Sequence, residues 1–156
     1  MRVWRICKAI YAQRSFSGEG GLKAAARWHH KGHRIVYTSQ SLSLATVELW
    51  LHVDPEEPLT SYVAVSAEIP ENLSVRRFDG SDLPVNWRQD PGPTQLRDLG
   101  SNWLQSKSTA VARAPSVITP GEYNFLLNPE HPDFLRIKID DPIPFVFDQR
   151  MWKATR

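Results

Sequence analysis

Residues 110–147 read AVARAPSVITPGEYNFLLNPEHPDFLRIKIDDPIPFVF, and this stretch decides the fold class. Four short runs favour extended backbone: Ala110 to Ala114, Tyr123 to Leu127, Leu135 to Ile139 and Pro144 to Phe147. Pro115, Pro120, Pro129, Pro132 and Pro142 punctuate them, and a residue without a backbone N–H cannot continue a ladder in both directions. No run of helical period intervenes, so consecutive strands follow one another without βαβ alternation.

Working outward, residues 94–107 carry Leu96, Leu99, Trp103 and Leu104 at helical spacing, with Thr94 as the expected cap and Gly100 as an oddity inside the helix. Residues 79–93 combine Gly80, Pro84, Pro91, Gly92 and Pro93 with Asp and Asn, which makes a loop. Tyr62 to Ile69 reads as a strand, and Ser74 to Phe78 as a shorter one. From Ser41 to Val53 the apolar residues are too dense for alternation, so a helix is expected, stopped by Pro55. Its Ser41, Ala45, Glu48 and His52 fall in one narrow stripe that faces either bulk water or a cleft. Arg34 to Ser39 and Val3 to Cys7 complete the strands. The expectation is one α+β domain over residues 1–156, with a mixed or mainly antiparallel sheet core and a few helices.

Length and composition agree, since 156 residues with 41% hydrophobic and 23% charged side chains suit one folded domain. The net charge of +2 is too small to mark a nucleic-acid binder. Its distribution is uneven: residues 1–53 hold eight Lys/Arg against two Asp/Glu, whereas residues 54–93 hold three against eight. An anionic ligand therefore belongs with the first third. Cys7 is the only cysteine, which excludes an internal disulfide and a thiolate-rich zinc site and fits a reducing cytoplasm. Neither a signal sequence nor a membrane span is legible.

Three features could carry chemistry. His29, His30, His33 and His52 are poorly spaced for metal ligation, because Gly32 and the following β pattern argue against a shared helix face. The expectation is no metal. Trp28, beside Arg27, could stack on a nucleic-acid base, but no aromatic-basic alternation extends from it, and Trp4, Trp50 and Trp103 read as core. The run Ser15-Phe16-Ser17-Gly18-Glu19-Gly20-Gly21 is a loop that either shapes a ligand pocket or only turns the chain.

A longer constellation is more specific. Gly18 to Gly21 is followed by Arg27-Trp28-His29-His30-Lys31-Gly32-His33-Arg34-Ile35-Val36-Tyr37-Thr38-Ser39, and then by Ser43-Leu44-Ala45-Thr46-Val47-Glu48. Downstream stand Ala114-Pro115-Ser116-Val117-Ile118, Asn124-Phe125-Leu126-Leu127-Asn128-Pro129 and His131-Pro132. In this order and spacing, over about residues 3–147, the chain resembles the RES-domain family of bacterial toxins.

The resemblance implies a fold similar to ADP-ribosyltransferase toxins and an enzyme that consumes NAD as substrate by cleaving its nicotinamide–ribose bond, through hydrolysis or phosphorolysis. It implies neutralisation by a helix-turn-helix antitoxin of the Xre type, which would carry any contact with DNA. A homodimer or a larger toxin–antitoxin assembly stays open. The family's defining Arg, Glu and Ser map to Arg27, Glu48 and Ser116. Arg27 would grip the pyrophosphate, Glu48 would support an oxocarbenium-like ribose, and Tyr37 would offer a ring face and a hydroxyl. Ser116 and Asn124 would donate hydrogen bonds, and Trp28 and His29 would contact the cofactor. His29 is a departure, because the family often has Asn there. Each residue also has a plain structural reading: Arg27 a solvated cation, Tyr37 packing, Glu48 paired with His52 at i+4, Ser116 a turn residue, Asn124 a partner for local backbone. A protein ADP-ribosyltransferase and a catalytically silent antitoxin-binding module are the competing functions.

Overall fold

The computed structural model describes residues 1–53 and 61–152. Strands β1 (Arg2–Lys8), β2 (Val36–Ser39), β3 (Tyr62–Glu68), β4 (Val75–Arg77), β5 (Val111–Pro115), β6 (Tyr123–Leu127) and β7 (Lys138–Ile139) form one sheet in the order β4-β5-β6-β2-β1-β3-β7, and β8 (Ile143–Phe145) also pairs with β3. Only β4 and β5 are parallel, so the sheet is mixed as expected. Helices α1 (Glu19–Lys23), α2 (Leu42–Trp50) and α3 (Thr94–Ser106) complete the α+β fold.

Alternation along the strands separates two faces. Val3, Val36, Val65, Val111 and Leu127 bury on one of them with Phe16 and Ile137. On the other, α3 inserts Leu96, Trp103 and Leu104 against Ala112, Ala114 and Leu126, with Trp28 and Phe78 in the same cluster. Beside it α2 packs Ala45, Leu42 and Leu49 over Ile6, Tyr62, Ala64 and Phe147. The two helices thus cover opposite ends of the same sheet face, and a cleft opens between them over Arg5 of β1, Tyr37 and Ser39 of β2 and Asn124 of β6.

The local reasons are explicit. Ser41 caps α2, its Oγ accepting from the Leu44 N–H at 3.1 Å, which satisfies one of the donors that a helix start leaves unpaired. The helix ends at Trp50 and continues as a turn through Val53; Pro55 lies outside the described residues. Gly100 is explained by packing: a Cβ there would collide with the carbonyl oxygen of Trp28.

Several expectations need correction. Thr94 does not cap α3; the N-cap is Pro93, without a side-chain bond. Residues 132–136 form a 3₁₀ turn, because Pro132 opens it and His131 Nδ1 accepts from the Asp133 N–H, so only Lys138–Ile139 of that run is strand. The glycine-rich run is not a pure loop. Gly18, at φ 70°, starts α1, and a Cβ on Gly21 would strike the His33 carbonyl, so these glycines serve the packing of α1 against residues 33–35. Trp28 is no stacking platform: it is 3% exposed and stacks on Phe78 at 5.5 Å. Trp50 is exposed rather than core.

Candidate active site

Between α2, α3 and the loop 84–93 lies a cleft of about 880 Å³, within the usual size range of small-molecule sites. Ala45, Glu48 and His52 of the α2 stripe all line it, so that stripe faces a cleft and not bulk water.

Glu48 is held from below. Its Oε1 accepts from Asn124 Nδ2 at 2.6 Å and from Ser116 Oγ at 3.1 Å. Both donors are themselves held: Asn124 Oδ1 accepts from Ser39 Oγ at 2.8 Å, and Ser116 Oγ accepts from the N–H groups of Ile118 and Thr119. Ser116 is 1% exposed, so its hydroxyl belongs to the support of the carboxylate. Among the described residues Oε2 takes no hydrogen bond. One oxygen is therefore occupied by charge-assisted bonds and the other is open toward the cleft. The alternative i+4 pairing with His52 is not what holds this side chain.

Tyr37 is oriented as tightly. Its hydroxyl accepts from the Trp28 N–H at 3.2 Å and lies 2.8 Å from His29 Nδ1. His29 Nε2 is 3.0 Å from the Ala24 carbonyl. A carbonyl only accepts, so Nε2 carries the hydrogen, and in the neutral ring Nδ1 receives the Tyr37 proton. Burial keeps His29 on that neutral side, lowering its pKa from 6.5. Burial likewise raises the pKa of the Tyr37 phenol, which stays protonated. The hydroxyl expected to orient a ligand is thus already engaged, while Tyr37 still lines the cleft. His29, 3% exposed, lies behind Tyr37 and not on the cleft surface.

Arg27 reaches the cleft mouth and binds the loop above it. Nη1 donates to the carbonyls of Trp87 and Gln89 at 3.0 and 2.9 Å, and Nη2 is 3.7 Å from Asp90. Gly92 packs so closely that a Cβ would come within 2.6 Å of Nη1. The structure therefore brings Arg27, Tyr37, Glu48 and Asn124 to one cleft, with Ser116 beneath Glu48. Trp28 lines the cleft beside Arg27.

Arg5 was missed. It lines the same cleft and donates Nη1 to the Tyr37 carbonyl at 2.9 Å. Its signal in the sequence is a single arginine within the short run Val3 to Cys7, which carries no spacing that marks a site. Among the described residues no group of three or more His, Cys, Asp or Glu converges as a metal site, and no helix is long and apolar enough to cross a membrane.

Comparison with known proteins finds relatives that match over nearly the whole chain. The chain is 35% identical to "Toxin Res" of Yersinia enterocolitica over 152 residues, covering 97% of this chain and 99% of that protein. It is 33% identical to "Toxin Res" of Photorhabdus laumondii over the full length of both. It is 36% identical to the "Prs ADP-ribosylating toxin" of a Sphingobium species, covering 95% and 94% of the two chains. Its fold superposes on a chain of the Mycobacterium tuberculosis MbcT-MbcA toxin-antitoxin complex with a TM-score of 0.76, at 12% identity, over 93% of this chain and 84% of that one. The RES domain family model matches residues 2–148, and the chain belongs to the RES-domain family.

Proposed function

We propose that this protein is the toxin of a toxin–antitoxin pair and that it degrades NAD by cleaving the nicotinamide–ribose bond. The observation that carries the reading is Glu48, whose Oε1 is clamped by Ser116 and Asn124 while Oε2 is left to a ligand. Nicotinamide departs from a cationic pyridinium as a neutral molecule and takes the electron pair of the C–N bond with it, so no strong acid is needed. The ribose left behind develops positive charge, and a carboxylate whose orientation is set in advance stabilises it without reorganisation. Water then adds to the ribose carbon and loses one proton to solvent, giving ADP-ribose; phosphate would add in the same place. Tyr37 bounds the cleft as a rigid ring, and Arg27 holds the loop that covers the bound substrate.

A second reading, transfer of ADP-ribose to a protein side chain, is favoured by the name of the Sphingobium relative. Both reactions need the same bond cleavage and differ only in the acceptor. An Xre-type antitoxin that covers the cleft is the partner we propose, supported by the toxin–antitoxin complex among the similar folds, and the cytoplasm is the compartment in which NAD would be consumed. Incubating the purified chain with NAD, with and without phosphate, tests the reading. Loss of NAD with release of nicotinamide is expected; intact NAD in the presence of an acceptor-rich lysate overturns both readings.

A further inference from the structure

The cleft uses only part of the positive charge in residues 1–53. Of the eight Lys/Arg there, Arg5 and Arg27 line it, whereas Arg14, Lys23, Lys31 and Arg34 gather on and around α1, outside it. Backbone bonds join them into one surface. The Gly32 N–H donates to the Gly21 carbonyl at 3.0 Å, which pins residues 30–34 on α1, and Arg34 Nη1 donates to the Ser17 carbonyl at 3.0 Å. Glu19 is the only carboxylate side chain before Glu48, and its two oxygens lie 3.5 Å from Arg14 Nη1 and 4.0 Å from Arg34 Nη1. The ammonium groups of Lys23 and Lys31, both exposed, have no partner among the described residues. At the borders, Asp98 is taken by His30 at 2.7 Å, and Glu130 follows the Pro129 that packs against Gly18.

Two glycines leave this surface bare. A Cβ on Gly20 or on Gly32 would meet nothing within 4 Å. Gly32 needs its φ of 103°, but Gly20 lies within α1, where alanine is the better helix former. Packing gives no reason for it. Bare backbone between cations lets an extended polyanion approach closely.

The kind of polyanion follows from what the patch lacks. Within α1 and residues 30–34, Leu22 is the one large apolar side chain exposed, at 37%, too little for the apolar centre that a protein partner buries. Phe16 and Trp28 nearby are buried, so no ring is offered to an unpaired base. Phosphate contacts need only cations and close backbone. We propose that Arg14, Lys23, Lys31 and Arg34 form a second anion surface, separate from the cleft, which binds the phosphate backbone of a nucleic-acid duplex without reading its sequence. The net charge of +2 conceals it, because residues 54–93 hold eight Asp/Glu against three Lys/Arg. Contact with a duplex then belongs to this chain as well as to any antitoxin.

Fluorescence anisotropy of a short labelled DNA duplex of mixed sequence, titrated with the purified chain at several salt concentrations, tests this without any turnover. The logarithm of the affinity should fall with the logarithm of salt with a slope of about −3 to −4, at about 0.9 per phosphate neutralised. A second sequence should bind equally, and an RNA duplex of the same length tells which of the two backbones is preferred. The double variant Lys23→Gln, Lys31→Gln should lose about tenfold in affinity and flatten the slope by about 2, with an unchanged melting temperature and unchanged NAD turnover. The double variant Arg77→Gln, Lys138→Gln removes the same charge from exposed positions on β4 and β7 and should lose less than about threefold. The proposal is wrong if the wild-type chain does not bind, if binding ignores salt, or if the β4 and β7 variant loses as much. Tighter binding of polyglutamate than of the duplex through Lys23 and Lys31 would also overturn it, in favour of an acidic protein partner.

Discussion

The Tyr37 hydroxyl lies 2.8 Å from Nδ1 of His29, and the far nitrogen of the same ring is committed to the Ala24 carbonyl at 3.0 Å. The second bond dictates the tautomer, and the tautomer makes Tyr37 the donor in the first. The resemblance to the RES family implies Asn at the position of His29, and the side-chain carbonyl of an Asn could accept the same proton. His29→Asn should keep NAD cleavage within about threefold of wild type, and His29→Leu should lose about tenfold, equivalent to about 1.4 kcal/mol. Steady-state rates of the two variants check this; equal rates would show that the Tyr37 hydroxyl needs no acceptor.

The same pair makes stability depend on pH. Burial lowers the pKa of folded His29 below 6.5, so the unfolded chain binds a proton that the folded chain resists. Stability associated with this group is present above the unfolded pKa and is lost as pH falls toward the folded one. The melting temperature should therefore fall from neutral pH to about pH 5.5, and His29→Asn should flatten that fall. An unchanged pH slope in the variant would remove His29 as its cause.

Arg27 should act through the loop it holds. Arg27→Ala removes the bonds to the Trp87 and Gln89 carbonyls, and the exposed Arg88 between them becomes a faster tryptic site. The variant should also raise KM for NAD more than it lowers kcat, because loop order governs capture and closure. Unchanged proteolysis with a lost kcat would instead place Arg27 at the reacting bond.

Gly100→Ala should destabilise α3 although alanine is the better helix former. The added methyl meets the Trp28 carbonyl, and such overpacking costs about 1–3 kcal/mol, or roughly 3–10 °C in melting temperature for a domain of this size. Thermal denaturation reads it directly. A melting temperature at or above wild type would mean that residues 26–29 can move away from α3 at no cost.

Much of this fold was legible because strand and helix periodicity are local. Tyr62 to Ile69 and Tyr123 to Leu127 were readable to within a residue, whereas the cap expected at Thr94 falls on Pro93. The sheet order was not legible, since it depends on which strands meet across long sequence distances. The same holds for the site. Glu48, Ser116 and Asn124 were recognisable as a set from the family motif, but their mutual bonds join residues 68 and 76 positions apart. Trp28 and His29 were both expected to contact the ligand; Trp28 lines the cleft, but the chain turns back on itself between Ala26 and His29 and carries the His29 ring behind Tyr37 rather than into the cleft. Arg5 was passed over because an arginine inside a strand has no distinctive spacing; its place in the cleft wall and its unpartnered buried Nε depend on the tertiary structure.

The central claim is that Glu48 supports cleavage through the charge of an oriented carboxylate. Glu48→Gln retains an oxygen that can accept from Ser116 and Asn124, and it loses only the charge presented to the cleft. Release of nicotinamide from NAD by purified wild type and Glu48→Gln, followed side by side by chromatography, isolates that difference. The expected result is release by wild type and a loss of about 10²–10³-fold in the variant, equivalent to about 3–4 kcal/mol of barrier, with melting temperatures within a few degrees. Equal rates of release from the two proteins would contradict the claim.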